Sequence, residues 1–213
     1  LPDSQAIAAL VAQAPAAADV VIRDGMVSNS NPAVQYDLGA FAKGYAIDRF
    51  MERLRALGIE NAILNAGGDL RAIGRHGNRP WRVGIRHPRQ EGILGSIEIE
   101  GDASIFTSGD YERFFEVDGT RYHHIIDPRS GYPADTVISV TVIHGSAATA
   151  DAAATALFVA GPDHWTRVAR SMGVDLVMLV DTGGVVHMTP GMQQRIRFEP
   201  GAAPELRISE PLS

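Results

Sequence analysis

The sequence lacks cysteine entirely, since none of its 213 residues is a cysteine. Disulfides, thiolate catalysis and zinc sites built on cysteine are therefore excluded. Long apolar runs are also missing: the longest, at residues 152–160 and 176–180, are far shorter than the about 20 residues that span a bilayer. There is no basic stripe with interleaved aromatic residues, and 19 basic residues stand against 25 acidic ones. These absences argue against a nucleic-acid partner.

The composition is that of an ordinary globular protein, with 45% hydrophobic and 21% charged residues and a net charge of −6. A chain of this length is long enough to bury a real core. We expect a single domain over residues 1–213. Because the chain starts at Leu1 and not at methionine, we also expect a processed or truncated product, in which the absence of a targeting segment says little.

The pattern of short strands and few helices predicts an α+β fold with largely antiparallel sheets. Strands separated by turn residues fill the middle of the chain, and two hairpins are indicated by Asp118-Gly119 and by residues 181–184. Apolar spacing and glycine stops predict helices over residues 5–13, 40–57, 146–159 and 162–172. Residues 200–213 are expected to form a frayed tail.

The run from Asp37 to Asp48 is the most informative segment of the chain. It reads as a helix start, with Asp37 where a capping carboxylate would stand, yet it holds Gly39, Gly44 and Lys43 in its first turns. Glycine costs about 1 kcal/mol relative to alanine inside a helix. Its presence predicts close approach of another group, and the lysine suggests an anion such as a phosphate at the helix N-terminus.

Asp151 and Thr155 are spaced i, i+4 in an alanine-rich helix and so share one face. A carboxylate and a hydroxyl are hard oxygen ligands of the kind that Mg²⁺ prefers. Taken alone, the pair is better explained by Asp151 complementing the helix dipole and Thr155 lying at the edge of the core.

Three further segments each allow two interpretations. Gly67-Gly68 before Asp69 exposes backbone N–H groups to an anion or a planar ring, or forms a hairpin turn with Asp69 in an Asx role. His123 and His124 point to opposite faces of a strand, so one is buried and one solvated, next to a stiff loop that can read a ligand or merely connect strands. Residues 107–113 are polar and could form a nucleophile site, but they hold no nucleophile elbow around Ser108, and a turn with capping hydroxyls is the alternative.

Six motifs follow one another in the order of one known family. They are the run 37–48, Asn65 with residues 67–69, residues 81–88, residues 107–113, residues 124–133 and residues 150–156. With them the chain resembles the ApbE family, the FAD:protein FMN transferases. The resemblance implies a T-fold-like architecture and an enzyme that binds FAD and Mg²⁺, cleaves the pyrophosphate, transfers FMN to a Thr or Ser hydroxyl of a partner flavoprotein and releases AMP.

The resemblance also implies residue roles. It assigns Mg²⁺ to Asp151, Thr155 and the backbone carbonyl of Ala40, with Asp151 and Thr155 catalytic. It implies cofactor contacts by a second set of residues: Asp37, Lys43, Gly67, Gly68, Asp69 and His124. Two positions depart from the pattern, since Ala154 stands where relatives can carry an acid and Lys43 where some are acidic. Asp151 is also a candidate to accept the acceptor's proton.

The family resemblance leaves other questions open. Family members usually carry roughly another hundred residues before the region that matches Leu1, about one small domain, so we expect an N-terminal part to be missing. An FAD pyrophosphatase and a non-catalytic flavin-binding protein are the competing functions. The implied acceptor is a membrane redox-complex subunit or a periplasmic or secreted flavoprotein. A periplasmic or membrane-anchored lipoprotein location follows by analogy, a cytoplasmic one stays open, and a homodimer would cover exposed sheet edges.

Overall fold

A computed structural model describes residues 1–212, which form five α-helices and fourteen strands. The helices are α1 (Ser4–Ala12), α2 (Ala42–Ala56), α3 (Ala147–Ala160), α4 (Trp165–Met172) and α5 (Pro190–Arg195). The strands are β1 (Val20–Arg23), β2 (Met26–Asn29), β3 (Ala62–Ala66), β4 (Asp69–Ile73), β5 (Trp81–Arg86), β6 (Ile93–Ile99), β7 (Ala103–Gly109), β8 (Phe114–Val117), β9 (Thr120–His123), β10 (Val137–His144), β11 (Leu176–Asp181), β12 (Val186–Met188), β13 (Ile196–Phe198) and β14 (Leu206–Ile208). None of the helices in this described part is long and apolar enough to cross a membrane.

The largest sheet has seven strands in the order β14-β12-β11-β10-β7-β4-β3. Every neighbouring pair is antiparallel except β12 with β14. A three-stranded sheet, β13-β6-β5, is also antiparallel, and β1-β2 and β8-β9 are separate hairpins. The prediction of an α+β fold with largely antiparallel sheets is therefore confirmed.

Both faces of the seven-stranded sheet are covered, because successive side chains of a strand point to opposite sides. On β7, Phe106 packs into a cluster with Leu157 and Phe158 of α3, whereas its neighbour Ile105 packs on the other face with Ile97 of β6. One face thus carries α2, α3 and α4, and the other carries the small sheet and α5. The predicted metal ligands Asp151 and Thr155 lie on α3 and so on the helical face.

Helix α3 lies against both α2 and the sheet, and its small side chains explain why it can. Ala147, Ala150 and Ala153 are fully buried. At Gly44 of α2, a Cβ would overlap the Ala147 carbonyl and lie 2.8 Å from the Ala148 Cα. The predicted close approach to Gly44 is therefore confirmed, and the group that approaches is the main chain of α3.

The start of α2 also differs from the prediction. The helix begins at Ala42 after Phe41 and has no side-chain cap, so Asp37 does not cap it. The Asp37 carboxylate instead accepts a 2.6 Å hydrogen bond from the N–H of Gly39, two residues on. Short local bonds of this kind compete with helix capping for aspartate side chains. At the other end, Gly58 follows the helix with a φ of +77°, as its sequence position predicts.

The C-terminal region is more ordered than predicted. Residues 200–212 do not form the predicted frayed tail, because β14 pairs in parallel with β12. Ser213, which the prediction also covers, lies outside the described residues. Helix α5 and strand β13 were not predicted either. At six and three residues they are too short for a periodic apolar pattern, although Thr189 accepts the Met192 N–H as an N-cap and Pro190 opens the helix.

Candidate active site

A cavity of about 650 Å³ opens where the start of α2, the side of α3 and the β3–β4 turn meet. Seven predicted site residues line it: Lys43, Gly67, Gly68, Asp69, His124, Asp151 and Thr155. Asp37 and Ala40 do not line it, although Gly39, between them, does. The fold thus brings together predicted residues from four separate stretches of the sequence.

Asp151 and Thr155 lie one turn apart on α3 and both face this cavity, as their spacing predicts. Asp151 is only 6% exposed, and its Oδ2 accepts a 2.9 Å hydrogen bond from the N–H of Gly44. Burial raises the pKa of Asp151, and the Gly44 bond and the charge of Lys43 only partly oppose it. The Thr155 hydroxyl lies 3.1 Å from the hydroxyl of Ser108 on β7.

The bond from Gly44 has a second effect at the start of α2. In a regular helix this N–H would donate to the carbonyl four residues earlier, which is that of Ala40. It donates to Asp151 instead, and among residues 1–212 no donor is recorded for the Ala40 carbonyl or for Oδ1 of Asp151. Two oxygens at the junction of α2 and α3 therefore keep free lone pairs.

Asp69 links α2 to the sheet below the cavity. Its Oδ2 forms an ion pair with Lys43, and its Oδ1 accepts the N–H of Thr107 at 2.8 Å. The carboxylate is therefore engaged with α2 and β7, and the alternative of an Asx role in its own turn is wrong. Lys43 stays partly exposed at the cavity wall, where its charge can meet an anion.

The Gly67-Gly68 segment is both a hairpin turn and a wall of the cavity. It joins the antiparallel strands β3 and β4, its φ angles are +71° and +104°, and Asn65 Oδ1 accepts the Gly68 N–H at 2.9 Å. No atom lies within 4 Å of where a Cβ would stand on either glycine. The backbone here is accessible from the cavity side.

The two adjacent histidines have different roles, as the strand alternation predicts. His123 is buried, with Nε2 2.8 Å from the Ala134 carbonyl, whereas His124 lines the cavity. Nδ1 of His124 lies 3.2 Å from the Arg113 carbonyl, so Nδ1 carries the hydrogen and Nε2 is left as an acceptor. Burial lowers the pKa of His124, which favours the neutral ring.

Several lining residues are not among the predicted site residues. Val83, Ile85 and Phe106 give an apolar wall, and Ser108 and Tyr111 add hydroxyls. Burial raises the pKa of Tyr111 to about 12, so its hydroxyl stays protonated. For Ser108 and Tyr111, the polar character of residues 107–113 is the only indication that the sequence offers. Which residues of this segment face the cavity follows from the pairing of β7 with β4 and β10.

No group of three or more His, Cys, Asp or Glu side chains able to hold a metal ion occurs within residues 1–212. A cation here would have one carboxylate, that of Asp151, together with neutral oxygens. Such a set suits Mg²⁺, which keeps several waters and takes few protein ligands.

Comparison with known sequences gives a consistent result. Residues 1–178 match the model of the ApbE family. An FAD:protein FMN transferase of Rhodobacter capsulatus is 46% identical over 198 residues, covering 93% of this chain and 38% of that protein. One from Klebsiella pneumoniae is 39% identical over 173 residues, covering 79% of this chain and 52% of that protein. The chain thus spans about two fifths to one half of these curated relatives.

Solved structures of ApbE proteins resemble this chain in fold as well as in sequence. The crystal structure of the ApbE protein of Thermotoga maritima superposes with a TM-score of 0.83 at 38% identity, over 92% of this chain and 65% of that one. The apo form of the flavinyl transferase ApbE of Pseudomonas stutzeri gives 0.75 at 33% identity, over 92% and 61%. From the family match, these relatives and the shared fold, we conclude that the chain belongs to the ApbE family.

Proposed function

We propose that this protein transfers the FMN part of FAD to a Ser or Thr hydroxyl of an acceptor protein, in a Mg²⁺-dependent reaction that releases AMP. Relatives named FAD:protein FMN transferase support the reaction class. The observation that carries the proposal is the junction of α2 and α3. There a buried carboxylate, a hydroxyl one turn away and a free main-chain carbonyl stand beside a cavity large enough for a cofactor-sized ligand.

The donor set fits Mg²⁺. Asp151 keeps one carboxylate oxygen without a hydrogen-bond donor within residues 1–212, and burial raises the pKa of this carboxyl although the Lys43 charge partly opposes it. Thr155 and the Ala40 carbonyl would add neutral hard oxygens. When bound, Mg²⁺ would neutralise charge on the phosphoryl oxygens of the substrate.

The rest of the cavity fits FAD as a substrate. Lys43 offers a positive charge to the pyrophosphate, and the accessible backbone at Gly67-Gly68 allows a phosphate or a ring to approach closely. The apolar wall of Val83, Ile85 and Phe106 suits a planar aromatic ring. Asp37 lies outside this wall, so its predicted contact with FAD has the least geometric support.

We assign the proton transfer to His124. Its neutral ring keeps Nε2 free to accept the proton of an attacking hydroxyl, while the Arg113 carbonyl holds Nδ1–H and so orients the ring. Asp151 is the competing base. If His124 is the base, His124→Gln abolishes transfer without weakening Mg²⁺ binding, whereas loss of metal binding in this variant would contradict the assignment.

The decisive experiment incubates the protein with FAD, Mg²⁺ and a flavoprotein acceptor carrying the target Thr or Ser. We expect fluorescent flavin that stays on the denatured acceptor, with AMP released in equal amount. Free FMN and AMP without labelled acceptor would indicate a pyrophosphatase, and retained FAD without AMP a binding protein. A subunit of a membrane redox complex is the acceptor we expect. The periplasmic or lipoprotein location, the single domain and a homodimer stay predictions.

A further inference from the structure

The N-terminus of α3 is held by a carboxylate from another helix. Asp48, on α2, accepts the N–H of Ala147 at 2.8 Å with Oδ1, and with Oδ2 it accepts the N–H of Ala148 at 3.1 Å and the Ser146 hydroxyl at 2.9 Å. The Ser146 hydroxyl also accepts the N–H of Thr149 at 3.2 Å. Three donors at one helix start thus converge on a side chain about 100 residues away in sequence.

The same carboxylate is anchored from the sheet. Arg71 of β4 forms ion pairs with Asp48 and, through Nε and Nη2 at 2.9 and 2.8 Å, with both oxygens of Asp102. The Arg71 and Asp48 side chains are only 9% and 13% exposed. Burial alone would raise the pKa of Asp48, but the donors of α3 and Arg71 outweigh it and hold the pKa below its usual range. The group is therefore ionised when it binds α3.

This anchor and the metal-binding carboxylate belong to one contact. Gly44 and Asp48 are four residues apart on α2, so they present the same face to α3. Gly44 holds Asp151, and Asp48 holds the first turn of α3, four residues before Asp151. Asp48 itself does not line the cavity.

We propose that Asp48 is a positioning residue for the metal site: by fixing the first turn of α3 to α2 and β4, it sets the place of the Asp151 carboxylate relative to the start of α2. The inference rests on the proposed function for the metal at Asp151. Groups that orient metal ligands typically change metal affinity by about 10- to 100-fold when they are removed. Asp48 is expected to act in this range although it contacts neither metal nor substrate.

A matched pair of variants separates an effect on the position of the metal ligand from an effect on the stability of the fold alone. Asp48→Asn keeps the size of the side chain but replaces one of its two accepting oxygens with an NH₂ group. Only one oxygen is then left to accept hydrogen bonds from the three donors of α3. Asp102→Asn weakens the ion pair of Asp102 with the same arginine, Arg71, and leaves the hydrogen bonds between Asp48 and α3 in place. Both variants are expected to unfold at lower temperature than the wild type. Only Asp48→Asn is expected to bind metal at least about tenfold more weakly.

The measurement is titration of the purified chain with Mn²⁺, followed by electron paramagnetic resonance of the free ion, with Mg²⁺ as competitor. Asp151→Asn confirms which site is observed. Wild-type affinity in Asp48→Asn would overturn the inference and leave the proposed function standing. If the wild type binds no Mn²⁺, the metal site and the inference fail together.

A milder variant keeps the test valid if Asp48→Asn does not fold. Ser146→Ala removes one donor to Asp48 and the local cap of α3, and it is expected to weaken Mn²⁺ binding in the same direction by a smaller factor. Asp3→Ala, which removes the N-cap of the exposed helix α1, is the matched control and should bind Mn²⁺ as the wild type does. Equal affinity in both variants would also overturn the inference.

Discussion

The main-chain N–H of Gly44 donates a 2.9 Å hydrogen bond to Oδ2 of Asp151, a residue 107 positions later in the chain. One bond therefore orients the buried carboxylate of α3 and withdraws from the Ala40 carbonyl its usual helical partner. A side chain at position 44 would prevent this contact, since its Cβ would meet the main chain of Ala147 and Ala148. The glycine is thus a requirement of the site as well as of the packing.

Gly44→Ala tests this directly. In an unobstructed helix the change would stabilise by up to about 1 kcal/mol. Here the new methyl group meets backbone, which cannot turn away, so we expect a net destabilisation of about 1–3 kcal/mol and displacement of Asp151. Urea unfolding measures the first effect, and the Mg²⁺ concentration needed for half-maximal flavin transfer measures the second.

Gly145→Ala is the control for that variant. Gly145 lies just before α3, has no atom within 4 Å of a would-be Cβ and does not have a positive φ. We expect its stability to stay within about 0.5 kcal/mol of the wild type. If both alanine variants behave alike, the tight contact at Gly44 is not what limits stability.

Asp151→Asn should separate activity from stability. The amide can still accept the Gly44 N–H, and it removes a buried charge whose pKa is raised by burial. We expect an unchanged or higher melting temperature at neutral pH, with flavin transfer lowered about a hundredfold or more. Transfer that stays at the wild-type rate at saturating Mg²⁺ would exclude Asp151 as the base, and an unchanged Mg²⁺ concentration for half-maximal transfer would exclude it as a metal ligand.

Thr155 is tested by two replacements of similar size. Thr155→Val removes the hydroxyl and its contact with Ser108, which should cost about 1 kcal/mol of stability and weaken the Mg²⁺ dependence of transfer. Thr155→Ser keeps the hydroxyl and should retain Mg²⁺ affinity. A valine variant with wild-type Mg²⁺ affinity would mean that the hydroxyl serves only the contact with β7.

The acid stability of the fold depends in part on Asp48. Because its pKa in the folded protein lies below the ordinary value of 3.8, its stabilisation is fully present above pH 3.8 and is lost as the pH falls through the lower folded value. The difference in unfolding free energy between wild type and Asp48→Asn should therefore be largest near neutral pH and shrink below pH 3.8. Urea midpoints measured across this range give the result, and a difference independent of pH would contradict it.

Local patterns were enough to predict much of the fold. Apolar spacing identified α2, α3 and most central strands, and Asp118-Gly119 identified the β8–β9 hairpin, where both residues adopt positive φ. The elements that were not predicted are those whose sequence pattern is too short, or whose order depends on a contact with a distant element. Helix α5 has only six residues, and β14 is exposed and ordered by pairing with β12.

The site was predicted less completely, for a physical reason. The spacing of Asp151 and Thr155 predicts a shared helix face, and the strand alternation predicts that His123 and His124 diverge. The sequence could not show that Asp69 would bind Lys43 and the N–H of Thr107, because these partners come from distant elements. It indicated a close approach to Gly44 but could not show that the approaching group is the main chain of α3.

The sequence by itself determined which residue types are available: hard oxygen ligands without cysteine, glycines at the turns, and the six ordered motifs that indicate the family. Only the tertiary structure decided which oxygens are left free. The Gly44 bond, the anchor at Asp48 and the two-sided burial of the sheet arise from contacts between elements far apart in the chain. Such contacts leave no periodic signal, because they depend on how helices and strands pack and not on local spacing.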